Sequence, residues 1–72
     1  MDKAVFLKKM KEDVLDTEMD IQMDTMLHDV EEWDSLSFVI FIAMAKTTYD
    51  RKVDRHAVAQ AKSIRDLFDL LR

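Results

Sequence analysis

The chain has no cysteine, no glycine, no proline and no asparagine. Each absence excludes something. Without cysteine there are no disulfides and no thiolate zinc sites, and the protein brings no thiol of its own to any chemistry. The same lack fits a reducing compartment. Without glycine and proline, the tight turns of β-hairpins lose their usual residues, so helices are favoured over sheet. Helix ends that need left-handed backbone must then manage without glycine or asparagine, and irregular, side-chain-capped connections are expected. Long apolar runs are also missing. The longest, from Phe38 to Ala45, is far too short to span a bilayer, and "MDKAVFLKKMKEDVL" has no continuous apolar core of a secretory signal. Positive charge is not in excess either. A net charge of −4 argues against nucleic acid and against anionic membrane surfaces as partners. With 72 residues, the expectation is one small cytoplasmic domain over residues 1–72, with a thin core and no membrane insertion.

What is present reads as helices. Asp2 can cap a first helix in which Phe6, Met10 and Val14 recur at i, i+4 and i+8, with Leu7 beside them and lysines largely elsewhere. This amphipathic pattern predicts three to four turns, fading near Asp16. The stretch "DTEMDIQMDTMLHDVEEW" keeps no period. Met19, Ile21 and Met23 alternate like a strand, but a lone short strand would have no partner. A long loop whose apolar residues plug the core is the expectation. A second helix is predicted from Ser35 to Tyr49, with Leu36, Val39, Ile42 and Met44–Ala45 inward, although Phe38, Ile40 and Phe41 make it apolar almost all round. Asp54 can cap a short third helix. Ser63 opens a last one, with Asp66 three residues on as a capping-box variant and Ile64, Leu67, Phe68 and Leu71 as its stripe. The fold class expected is therefore all-α: a four-helix bundle with a short third helix and a long loop between the first two. One core should hold Phe6, Leu36, Val39, Ile42, Leu67 and Leu71.

Residues 31–38, "EEWDSLSF", place a serine between a charged turn and the most apolar helix. Three readings are open. Ser35, or Asp34 before it, can be a plain N-cap. Ser35 can be a nucleophile, but only His28 and His56 are available as a base, the nucleophile-elbow glycines are missing, and no sheet is present to hold an elbow. Or Ser35 can carry a phosphodiester, whose charge would suit the amides and dipole of a helix N-terminus, with the attachment chemistry supplied by another enzyme.

From the attachment motif to the C-terminus, "EEWDSLSFVIFIAMAKTTYDRKVDRHAVAQAKSIRDLFDLL" resembles an acyl carrier protein of the free-standing kind. The resemblance rests on a combination: Asp34-Ser35-Leu36 at mid-chain, an apolar helix after it, Tyr49 near that helix's end, and a terminal "SIRDLFDLL". "DTMLHDVEEWDSLS" is similar to the loop and attachment segment of such carriers, and the likeness is weakest in the first helix. It implies a right-handed four-helix bundle and 4′-phosphopantetheine on Ser35, donated by coenzyme A through a magnesium-dependent phosphopantetheinyl transferase. That enzyme would read Asp34 and Leu36. It further implies a monomer that is not itself an enzyme. Such a carrier holds an acyl group as a thioester and shuttles it between acyl-loading and acyl-processing enzymes of lipid (fatty-acid) or secondary-metabolite (polyketide) synthesis. An aminoacyl or peptidyl carrier, or a helical interaction module without prosthetic group, are the alternatives.

Two departures from the family stand out. Trp33 occupies the position where many carriers have glycine, a style known among stand-alone members. The exposed face of the second helix, usually carboxylate-bearing in fatty-acid carriers, has Ile40, Lys46 and Thr47 instead, which points to partner recognition by Trp33, Ile40 and Lys46 of a specialised kind. The carboxylates Asp29, Glu31, Glu32 and Asp34 lack EF-hand spacing and its glycine, and read as a solvated turn. His28 and His56 have no companion ligands and read as surface residues, so no metal is expected. Met19, Met23, Met26 and Met44 read as core filler. With Ala43, Ala57 and Ala61 they can alternatively admit an acyl chain.

Overall fold

A computed structural model describes residues 2–72. Asp2 stands in extended backbone, and its carboxylate accepts the amides of Ala4 at 2.8 Å and Val5 at 3.4 Å, starting α1 (Lys3–Lys9). The helix does not stay regular. From Met10 to Leu15 its turns widen to a π-helical segment, in which bonds run from i to i+5. Asp16 ends it in left-handed backbone, φ 51° and ψ 52°, and its amide donates to the Lys11 carbonyl. Of the expected stripe, Phe6 and Met10 are buried completely, Val14 nearly so and Leu7 by half, and Leu15, outside that stripe, is buried as well.

Residues 16–34 are largely irregular, with one 3-10 turn at Leu27–Asp29. Thr17 and Thr25 cap the amides of Met19 and Gln22 through their hydroxyls, at 3.0 and 2.8 Å. Ile21, Met23, Leu27 and Val30 point into the core. This segment is fastened to the far end of the chain by backbone bonds: Leu27 N–H to Lys62 O at 2.8 Å, Ile64 N–H to Thr25 O at 3.0 Å, and Arg65 N–H to Met23 O at 2.8 Å. Met26 and Ser63 form an isolated antiparallel bridge, and no strand occurs among the described residues.

α2 (Ser35–Tyr49) ends on Asp50, again in left-handed backbone at φ 54°. α3 (Arg55–Gln60) is short and buries Val58. Asp54 occupies its cap position, yet its side chain accepts no bond, so the cap expected there is positional only. α4 (Ile64–Leu70) opens with the expected capping box. Ser63 Oγ accepts the Asp66 amide at 3.2 Å, and Asp66 Oδ2 accepts the amides of Ser63 at 3.2 Å and Lys62 at 2.9 Å. These bonds, the Lys62 amide foremost, hold the Asp66 carboxyl below its ordinary pKa. Ile64, Leu67, Phe68 and Leu71 are buried, and the Phe68 ring meets Phe6 edge-on, centroids 5.1 Å apart. The chain is all-helical among the described residues, with four α-helices compatible with a small bundle.

The inward face of α2 differs from expectation. Leu36 is 67% exposed and Val39 52%, while Ile42 is only half-buried. Met44 and Ala45 are buried as expected, but the rest of the inward face is Ser37 and Phe41, which with them make an i, i+4, i+7, i+8 set. The physical reason lies at the helix start. Ser37 is tied inward by hydrogen bonds to the preceding turn, and that sets the rotation of everything after it. Phe41 then enters the core, completely buried, with Trp33 beside it at 6.5 Å. Of the expected six-residue core, Phe6, Leu67 and Leu71 are buried.

Candidate functional site around Ser35

The turn before α2 separates two serines by role. Asp34, in extended backbone, takes the amides of Leu36 and Ser37 on Oδ1, both at 3.1 Å. Ser37 reciprocates: its Oγ accepts the Asp34 amide at 2.8 Å and lies 2.9 Å from the Glu32 carbonyl, to which it donates. This is a capping box built on Asp34 and Ser37. Ser35 has no part in it. It is the first helical residue, it is exposed, and its hydroxyl makes no hydrogen bond among the described residues. Of the two cap candidates, the structure chooses Asp34.

The same box changes one electrostatic expectation. The amides of Leu36 and Ser37, which a group on Ser35 was expected to meet, are already taken by Asp34. An anion on Ser35 would feel the positive end of a 15-residue helix without bonding those two amides.

No family model matches the chain, and neither does any curated protein or solved structure.

The end of the π-helical segment and the start of α2 form an open cleft that both neighbours of Ser35, Asp34 and Leu36, line and Ser35 itself does not. Its walls carry Glu12, Asp13, Asp16, Glu32 and Asp34, with Val14, Leu15, Leu36, Ser37 and Ile40 between them. The carboxylates of the first helix join those of the turn, a gathering invisible at a sequence distance of about twenty residues. Trp33 is half-buried, and its ring is tilted 46° against that of Phe38 with centroids 6.1 Å apart.

Ile40 and Lys46 do not sit together. At about 100° per residue they are about 120° apart around α2. Ile40 is half-buried in the acidic cleft, whereas Lys46 is exposed, with Nζ 3.4 Å from Asp50 Oδ1. Lys46 shares its exposed stripe with Ser35, Val39 and Ala43, and Leu36 borders that stripe. His28 and His56 are both exposed, and neither lines the cleft. Met23 and Met44 are buried, Met26 is half-buried and Met19 is exposed, so the methionines fill the core only in part. Tyr49 is half-buried. Its hydroxyl is buried without a hydrogen-bond partner among the described residues, and burial, with the Asp2 charge adding, pushes its pKa up.

Ser37 was missed in the sequence reading. Its signal was available: an Asp with a hydroxyl residue three positions on, directly before an apolar helix, is a capping-box pattern.

Proposed function

We propose that this protein is a carrier whose Ser35 hydroxyl takes 4′-phosphopantetheine from coenzyme A. The observation that carries the reading is the division of labour at the turn. Asp34 and Ser37 make every side-chain bond that starts the helix, and Ser35 is left exposed with a hydroxyl that no fold contact uses. A modifying enzyme can take that oxygen without loosening the helix. The site fits the group: an accessible hydroxyl on the first residue of a long helix needs no pocket to hold a covalent attachment.

When bound, the group supplies the thiol that the cysteine-free chain lacks, on which an acyl cargo is held as a thioester. The chain's own residues do the rest. Asp34 and Ser37 fix the direction in which Ser35 presents its oxygen. Leu36 and Val39 offer apolar contact beside it, to the phosphopantetheinyl transferase first and to acyl-loading and acyl-processing enzymes afterwards. The clustered carboxylates steer basic partner surfaces toward the same place. The base and the magnesium ion for attachment belong to the transferase.

A second reading rests on the same exposed pair. Leu36 and Val39 would also serve a helical interaction module that carries no prosthetic group. Intact mass before and after incubation with coenzyme A and a broad-specificity transferase separates the two. The expected result is a gain of one phosphopantetheine, abolished in Ser35→Ala. No gain in the wild type, or a gain that survives Ser35→Ala, overturns the carrier reading.

A further inference from the structure

Four of the eleven cations of this acidic chain gather at the other end of α2. A groove there is lined by Ile42, Lys46, Arg51, Lys52, Val53 and Arg55, with no carboxylate among its lining residues. Lys46 holds Asp50 in an exposed pair, and Arg51 Nε donates to the Leu71 carbonyl at 3.1 Å, which anchors that guanidinium. Arg51, Lys52 and Arg55 have no ion-pair partner among the described residues. Ile42 and Val53 are half-buried and give the groove an apolar floor. A hydrated inorganic anion has no use for that floor, and an uncharged chain has no use for the cations. The chemistry that uses both is an apolar chain ending in a carboxylate.

The groove is also within reach of Ser35. Ser35, Val39, Ala43 and Lys46 fall within an arc of about 80° on α2 at about 100° per residue, and all four are exposed. Lys46 lies about 16 Å along the axis from Ser35 at about 1.5 Å per residue. An arm on Ser35 would have to extend by about five residue lengths, about 17 Å, to reach it.

We propose that the groove formed by Lys46, Arg51, Lys52 and Arg55 over Ile42 and Val53 binds the distal carboxylate of the cargo, so that the cargo class is a dicarboxylic acid held as its half-thioester. The cargo assignment rests on the carrier reading, whereas the groove's preference for an amphipathic carboxylate does not.

The test therefore has two arms. In the first, Ser35→Ala protein is titrated with octanoate, octanol and acetate while backbone amide shifts are followed. Octanoate should move the signals of residues 42–55 saturably, the other two should not, and Lys52→Glu with Arg55→Glu should weaken octanoate by about tenfold or more. Equal binding of octanol or acetate, or no loss on charge reversal, overturns the groove assignment. In the second arm, protein whose modification is verified by mass is loaded with adipyl or hexanoyl thioester. Adipyl alone should move the same signals, and Lys52→Glu with Arg55→Glu should abolish the difference. Identical spectra for the two cargoes overturn the cargo class even where octanoate binds. Absence of modification in the mass measurement overturns the cargo assignment through the carrier reading, and the octanoate arm reads the groove separately.

Discussion

Ser37 and Asp34 satisfy each other across the first turn of α2: the Ser37 hydroxyl takes the Asp34 amide at 2.8 Å, and the Asp34 carboxylate takes the Ser37 amide at 3.1 Å. Ser35 stands between them, outside the exchange. The three residues should therefore respond differently to alanine. Asp34→Ala should cost about 1 kcal/mol as a lost cap. Ser37→Ala should cost about 1–2 kcal/mol, because it removes a buried hydroxyl and leaves the Glu32 carbonyl and the Asp34 amide without their partner. Ser35→Ala should stay within about 0.5 kcal/mol of wild type. Urea unfolding of the three variants measures this. A Ser35→Ala loss equal to that of Asp34→Ala would return Ser35 to the role of a cap.

A similar contrast divides the apolar residues. Leu67 is completely buried, and Leu67→Ala should cost about 2–5 kcal/mol, a large share of a small domain's stability. Leu36→Ser and Val39→Ser should each change stability by less than about 0.5 kcal/mol, since both side chains are more than half exposed. Thermal melts of the three variants test the partition. A Leu36→Ser melt as low as that of Leu67→Ala would place Leu36 in the core after all.

How far the sequence disclosed this arrangement follows from the same contrast. Helix starts were legible where a capping side chain had one clear target, as at Asp2 and at Ser63 with Asp66. The stripe of the first helix was legible because its other faces are charged. α2 offered no such contrast. It is apolar on nearly every face, so periodicity could not say which face turns inward, and the deciding residue was a polar one, Ser37. Ser35 was found through its triplet and the resemblance around it. The carboxylates of Glu12, Asp13 and Asp16 join those of the turn before α2 only through folding, which no local pattern reveals.

With no glycine available, aspartates end the first and second helices in left-handed backbone, Asp16 at φ 51° and Asp50 at φ 54°. At each, the following residue closes the end: Thr17 N–H bonds Lys11 O at 3.1 Å, and Arg51 N–H bonds Ala45 O at 2.9 Å. That conformation costs an L-residue about 1–2 kcal/mol, somewhat less for Asp. Asp16→Gly should therefore stabilise the protein by about 0.5–1 kcal/mol after glycine's greater freedom in the unfolded chain is counted. A raised melting temperature is the expected readout. A lowered one would mean that the Asp16 carboxylate contributes more than its backbone strain costs.

Asp66 makes stability depend on pH. Its folded pKa is lowered, chiefly by the Lys62 amide and then by Ser63. A carboxyl depressed on folding contributes stability that is fully present above its unfolded value, about 3.9, and is lost as pH falls through the folded value. Asp66→Asn should accordingly flatten the fall in stability below about pH 4 while lowering stability at pH 7. Chemical denaturation of both proteins across pH 2–7 gives the comparison. Parallel curves would show that the carboxylate is no better bonded folded than unfolded.

The backbone fastening of residues 23–27 to residues 62–65 carries a consequence for the order of synthesis. Ser35 emerges from the ribosome well before the strap that steadies the loop leading to it. Until Lys62, Ile64 and Arg65 have been made, Met23, Thr25 and Leu27 lack their partners, and the approach to α2 has nothing to hold it. A nascent chain can thus display the Asp-Ser-Leu letters without their shape. The shape of that approach therefore waits on Lys62 to Arg65, about thirty positions further along the chain than Ser35.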